Sequence, residues 1–301
     1  MIITGLTGWG DHVSLYPQGI KPGEKLAEYA GHFPTVEVDA AFYAVQPKKN
    51  YDKWIRDTPE RFSFIVKAYQ GITGHERGEI PFASKEEMFK AYVDSVRPVM
   101  ESGKLGMVLC QFPPWFECNK ENVEYLRYVR DQLSAFPCAL EFRHQSWFEP
   151  EFKERTLEFM KNEKWIHSIC DEPQIEGGSV PIVMHPTHKE KTLVRLHGRN
   201  TEAWKKPAKG EKWREIRYLY DYNDTELNEW KERVQTLEKT SENIYVVFNN
   251  NSGRHAAPNA KRFLEMADIS YEGLAPRQTS LFDEGDFFKK WYYNKRMKSG
   301  L

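Results

Sequence analysis

Short apolar runs recur along the chain, and each ends in charged or amide side chains. They predict eight strands, near 2–6, 35–39, 62–67, 106–111, 138–143, 165–171, 192–197 and 243–249. Stretches with helical periodicity fall between most of them, near 24–32, 50–57, 85–101, 120–134, 151–163, 224–240 and 257–268. Two helix starts carry local signals. Ser84 with Glu87 three residues on forms a capping box, and Asp224 reads as an N-cap with Glu226 in the first turn. Strand–helix alternation repeated this often predicts a single (β/α)8 TIM-like barrel over residues 1–270, followed by a C-terminal extension over 271–301. A doubly wound open sheet is the runner-up. It would carry a glycine-rich turn leading from the first strand into a helix. Gly5, Gly8 and Gly10 are present, but no helix opens after Trp9, Asp11 and His12, so a plain loop is the simpler reading.

Side chains alternate faces along a strand. Glu37 therefore shares a face with Asp39, Glu141 with Arg143, and Arg195 with His197 and Arg199, while Val194 and Leu196 face the other way. In a parallel sheet covered by helices, a charged face can point only into the barrel or a cleft, where charge is costly unless paired or used.

The 301 residues fit one large α/β barrel or two ordinary domains. A net charge of −1 gives no global field that would mark a nucleic-acid binder. Cys110, Cys118, Cys138 and Cys170 lack CxxC spacing, which speaks against a disulfide framework or a zinc site and for a reducing compartment. No signal peptide and no membrane-length apolar stretch are read, so the expected location is cytoplasmic.

A barrel gathers its strand ends at one mouth. The residues expected there are Glu37, Asp39, Lys67, Gln111, Glu141, Arg143, Asp171, Arg195, His197, Arg199, Asn249 and Asn250. One use for them is a closed ionic lattice. Another is an anion site, with Lys67, Arg143, Arg195 and Arg199 binding phosphate or carboxylate, and Glu37, Glu141, Asp171 or His197 as catalytic groups. A third is glycoside hydrolysis by Glu37 and Glu141, with Trp9, Tyr43 or Trp147 as sugar platforms. A fourth is a divalent metal held by members of the set Glu37, Glu141, His144, Asp171 and His197, although no pair has tight ligand spacing. No cofactor and no particular metal follow from the sequence. The FPPWF turn at 112–116 presents Trp115 and Phe116 near the mouth as a lid, a platform or simple loop packing. Two long loops, 68–83 and 198–223, complete that face.

Several blocks resemble the bacterial family known as domain of unknown function 72. They are the GLTGW start, LYP at 15–17, LAEYAGHFPTVEVDAAFY at 26–43, GMVLCQFPPWF at 106–116, EFRHQSWF at 141–148, RLHGR at 195–199, and FNN at 248–250 with Gly253, His255, Ala256, Asn259 and Ala260 beyond. The resemblance implies a TIM-like barrel and supplies no activity. The chain departs from the pattern at Asp39 (Asn expected), at Ala41 (a hydroxyl residue expected) and at Gly74, which separates Thr73 from His75.

Beyond the last helix, QTSLF at 278–282 resembles the QxxLF peptide by which bacterial replication and repair proteins dock on the DNA sliding clamp, with Gln278, Leu281 and Phe282 as anchors. The aromatic run FFKKWYY that follows favours instead a tail folded back on the barrel. Three functional expectations result: a hydrolase acting on a polar phosphate- or carboxylate-bearing substrate at the barrel mouth, a non-enzymatic accessory protein on the sliding clamp, and a glycoside hydrolase.

Overall fold

The computed structural model describes residues 1–75, 81–175, 178–204 and 216–277. Eight parallel strands close into a barrel in sequence order. They are β1 (Ile2–Thr7), β2 (Thr35–Val38), β3 (Ser63–Lys67), β4 (Leu105–Gln111), β5 (Cys138–Glu141), β6 (Trp165–Asp171), β7 (Lys191–Leu196) and β8 (Asn243–Phe248). The helices with described bounds are α1 (Lys25–Tyr29), α2 (Ala40–Tyr43), α3 (Lys48–Arg56), α4 (Lys85–Glu101), α5 (Lys120–Gln132), α6 (Lys153–Asn162), α7 (Thr201–Trp204), α8 (Asp224–Leu237) and α9 (Ala256–Ala267). The predicted barrel is borne out. The C-terminal extension beyond Arg277, with its Gln278, Leu281 and Phe282, lies outside the described residues. Among the described residues, no helix is long and apolar enough to cross a membrane.

Alternation along the strands builds two apolar layers. Outward side chains such as Val36, Val66, Val108, Leu140, Val194 and Val246 pack against the helices in the larger core. Inward side chains Ile3, Ile65, Met107, Leu109, Ala139, Ile166, Leu193, Tyr245 and Val247 fill the barrel itself. At the lower end of this plug Lys191 Nζ donates to Gly106 O at 2.7 Å. Above it the inward positions turn polar, and strand pairing sets them side by side: Gln111 lies opposite Glu141, and Cys170 opposite Arg195.

Helix starts follow the expected chemistry with two corrections. Ser84 caps α4 by accepting from Glu87 N, whereas Glu87 reaches back to Ala83 N rather than to the cap itself. The N-cap of α8 is Asn223, not Asp224, and Asn223 and Glu226 form the reciprocal capping box.

Candidate functional site

Arg195 is the hub of the barrel mouth. It rises from β7, is 1% exposed, and its guanidinium forks between two carboxylates that are fully buried. Toward β2, Nε donates to Glu37 Oε2 at 2.9 Å and Nη2 to Glu37 Oε1 at 2.6 Å. Toward β5, Nη1 donates to both Glu141 oxygens at 2.9 and 2.8 Å, and it lies 3.4 Å from Gln111 Oε1. Such two-pronged pairing suits the planar guanidinium and would be lost with lysine.

A second arginine extends the network. Arg143 Nη1 donates to Glu172 Oε2 at 2.6 Å, and Arg143 Nε sits 2.8 Å from Glu141 Oε1 without its N–H aimed at that oxygen. Ser168 donates to Glu141 Oε2 at 2.8 Å, and Val180 N to Glu172 Oε1 at 2.8 Å. His197 completes the ring. Arg143 Nη2 lies 3.2 Å from His197 Nε2, and the Asn249 amide 2.8 Å from Nδ1. A guanidinium only donates, so Nε2 accepts and Nδ1 carries the proton; the Asn249 amide then turns its oxygen to Nδ1. Burial, then Arg143 and Arg195, hold the His197 pKa well below its ordinary 6.5, so the ring is neutral.

The two carboxylates on Arg195 are pushed in opposite directions. For Glu37, burial outweighs the attraction of Arg195, and with Asp39 nearby the pKa rises from 4.5 to about 7. For Glu141, burial opposes the charge, but Arg195 and Arg143 together outweigh it and hold the pKa well below 4.5. One carboxyl thus titrates near neutrality beside a partner that stays ionised, a division found in acid–base sites. Closer to solvent, Lys67 Nζ pairs with Asp39 Oδ1 at 3.4 Å, with side chains 12% and 38% exposed.

Three residues expected at the mouth, and two of the expected sugar platforms, lie elsewhere, which corrects the reading of the strand ends. Asp171 is on the outer face of β6, because Ser168 and Cys170 occupy the inner one; it accepts from Trp230 Nε1 (2.7 Å), Tyr222 OH (3.0 Å) and Arg199 Nε (3.0 Å). Arg199 leaves the inner face because β7 ends at Leu196 and Gly198 has φ +89°, which breaks the alternation. A Cβ on Gly198 would also meet Tyr220 Cβ at 2.4 Å. Asn250 faces α9, donating to Asn259 Oδ1 at 2.8 Å. Trp9 packs edge-on against Trp54 of α3, with centroids 5.1 Å apart. Trp147 is 1% exposed and stacks on Phe142 at 4.1 Å, so it offers no sugar platform, while Tyr43 is exposed at the rim.

The structure adds residues that the strand pattern missed. Glu172 follows β6 directly, where alternation from Ser168 and Cys170 turns it inward; that signal was legible in the run SICDE. Ser168 was hidden by its small size. The expected metal set is not gathered: His144 bonds Ser146 Oγ and Asp171 faces outward. A different trio, Glu141, Cys170 and His197, brings its donor atoms within 4.8 Å of one another. It fits a cation poorly, since both Glu141 oxygens already face guanidinium groups, and burial, then Glu141, keep the Cys170 thiol protonated.

Comparison with known proteins places these residues in a family. The profile described as "Protein of unknown function DUF72" matches residues 3–281. The UPF0759 protein YunF of Bacillus subtilis is 60% identical over 282 residues, which cover 94% of this chain and 100% of that protein. A DUF72 family crystal structure from Enterococcus faecalis aligns with a TM-score of 0.87 at 38% identity, covering 93% of this chain and 100% of that one. Another, from Thermotoga maritima, aligns with a TM-score of 0.74 at 29% identity, covering 89% and 100%.

Proposed function

The chain belongs to the DUF72 family, and for it we propose an enzyme whose barrel mouth transfers protons on a polar substrate bearing a phosphate or carboxylate, with hydrolysis as the reaction class. The observation that carries this reading is the buried fork of Arg195 between Glu37 and Glu141, where burial raises the Glu37 pKa to about 7 against the pull of Arg195, while Arg195 and Arg143 together keep Glu141 ionised. In this reading Glu37 is the proton donor and acceptor. Glu141 holds Arg195 and Arg143 in place. Lys67, whose side chain is 12% exposed, supplies the positive charge that an anion needs, and Arg143 behind it, 3% exposed and paired with Glu172, adds to the field. The glycoside hydrolase alternative loses support, because a guanidinium fills the space between its two carboxylates.

The test begins with the proton. A carboxyl whose folded pKa is raised contributes stability that is complete below its unfolded pKa and is lost as pH rises through the folded one. Between about pH 4.5 and 7 the folded chain holds the Glu37 proton more tightly than the unfolded chain. The unfolding free energy of the wild type minus that of Glu37→Gln should therefore fall by roughly 3 kcal/mol across that window and level off above it. Urea titrations at a series of pH values read this difference; a flat difference would remove Glu37 from its assigned role. Thermal-shift screening at pH 7 should then find stabilisation by phosphates or carboxylates. Stabilisation by neutral sugars alone would favour the glycosidase.

A second reading, the clamp-docking accessory protein, draws on the residues that precede the QTSLF peptide. Ala275 N bonds Ala30 O at 3.0 Å and Arg277 Nη1 lies 3.2 Å from His32 Nδ1, which puts residue 277 on the outer wall of the barrel, immediately before the QTSLF peptide. Surface plasmon resonance on immobilised bacterial clamp should show binding by the wild type and its loss in the Leu281→Ala, Phe282→Ala double variant. Equal signals from the two proteins, or none from either, would end this reading.

A further inference from the structure

One side of the mouth is lined by rings from three successive strand–helix connections. Phe42 and Tyr43 end the short helix α2 after β2, His75 lies in the loop after β3, and Trp115 stands in the turn after β4. The rings meet edge to face in series. Tyr43 and Phe42 are 5.2 Å apart at 89°, Phe42 and His75 5.0 Å at 82°, and His75 and Trp115 5.9 Å at 67°. Tyr43 is 56% and Trp115 50% exposed. Single exposed aromatics need no explanation, but a connected series at a barrel mouth marks a binding surface.

The rim also has polar definition. Thr73 Oγ1 and His75 Nδ1 are 2.9 Å apart, which fixes the plane of the imidazole, and Thr73 is itself buried. Burial, then Lys67 and Arg143, push the His75 pKa down to about 4, so the ring is uncharged at neutral pH. The same interactions place it beside the inner network. Lys67 Nζ lies 4.7 Å over the Phe42 ring, at the junction between the aromatic rim and the charged interior.

We propose that this rim is a stacking subsite for a flat, π-rich ring of the substrate, laid against Trp115 and Tyr43, with an anionic group on the same molecule turned inward to Lys67. The proposal rests on the anion reading of the mouth and adds the chemistry of the rest of the ligand. A neutral imidazole between two aromatic rings gives an apolar edge to the subsite, and aromatic side chains attract another π-ring in offset-stacked or edge-to-face geometry. Two sources share this chemistry, a nucleoside phosphate and an aromatic carboxylate.

Isothermal titration calorimetry on the full chain distinguishes them with four probes: adenosine 5′-monophosphate, 4-hydroxybenzoate, glucose 6-phosphate and inorganic phosphate. One of the two ring-bearing anions should bind at least ~10-fold more tightly than glucose 6-phosphate, the size of effect that one stacked ring supplies. Which of the two does so identifies the source. Trp115→Ala, at a half-exposed position that should leave the melting temperature unchanged, should lose that ~10-fold preference and keep the affinity for glucose 6-phosphate. Tyr43→Ala should lose part of it. Equal binding of glucose 6-phosphate and the ring-bearing anions, or an unaltered preference in Trp115→Ala, overturns the stacking subsite and leaves the anion reading standing. Absence of binding by all four probes overturns both.

Discussion

Replacing Arg195 by methionine should cost about 3–5 kcal/mol of stability at pH 8 and much less at pH 5. Methionine keeps much of the side-chain volume, so the change isolates the charge. Without the guanidinium, Glu37 keeps no ion-pair partner among its recorded contacts, and Glu141 keeps only Arg143. Fully buried and without its partner, Glu37 takes up a proton on folding, and Glu141, left with Arg143 and Ser168, holds its charge less firmly. Neutralisation costs more the further the pH lies above the shifted pKa, which gives the deficit its pH slope. Arg195→Lys should recover only part of the loss, since an ammonium cannot make parallel bonds to carboxylates on both sides. Denaturant titrations at the two pH values read the result directly. A deficit equal at pH 5 and pH 8 would mean that Arg195 acts by packing alone.

Asp171→Ala should be the other severe substitution, by a different route. Its carboxylate accepts from Trp230 Nε1, Tyr222 OH and Arg199 Nε, binding β6 to α8 and to the segment that precedes it. Alanine leaves the buried indole and phenol donors without that acceptor and releases Arg199. Each orphaned buried donor costs about 1–3 kcal/mol, so a loss of roughly 3 kcal/mol or more is expected. Asp171→Asn keeps one oxygen and should cost less. Neither change should alter ligand affinity at the mouth once the fold is held by stabilising conditions, because Asp171 points away from it. A selective loss of affinity in Asp171→Asn with an unchanged melting temperature would restore it to the site.

The fate of Asp171 shows where the sequence stops being informative. The strand bounds were readable to within two or three residues because the apolar runs are short, rich in β-branched residues and separated by helices of ordinary length. Alternation placed Glu37, Glu141, Arg143, Arg195 and His197 in one interior, and the structure gathers those five. Applied to β6, the same alternation sends Asp171 outward and Glu172 inward. Reading Asp171 as a mouth residue rested on its position at a strand end, without its parity, and the tryptophan that explains a carboxylate facing helices lies 59 residues away. Arg199 was misplaced for a local reason: the left-handed Gly198 turns the chain, and glycine alone does not reveal its φ. The α8 cap slipped by one because Asn223 and Asp224 are both good capping residues; the Asn-x-x-Glu spacing was the deciding signal. The opposed titration of Glu37 and Glu141 was beyond reach, since it depends on which charges share Arg195 in three dimensions.

A closed ring of strands resists stretching along its hydrogen bonds but can be squeezed into an oval. Arg195 works against that deformation as a cross-brace. Glu37 on β2, Glu141 on β5 and Arg195 on β7 are three anchor points spread around the circumference, joined through one rigid planar group, and Arg143 with Glu172 stiffens the arc between β5 and the end of β6. The mouth is thereby triangulated, which opposes that deformation. If the mouth binds a ligand as proposed, adjustment to its size falls to the connections above the strands, whose sequence can change without disturbing the frame beneath.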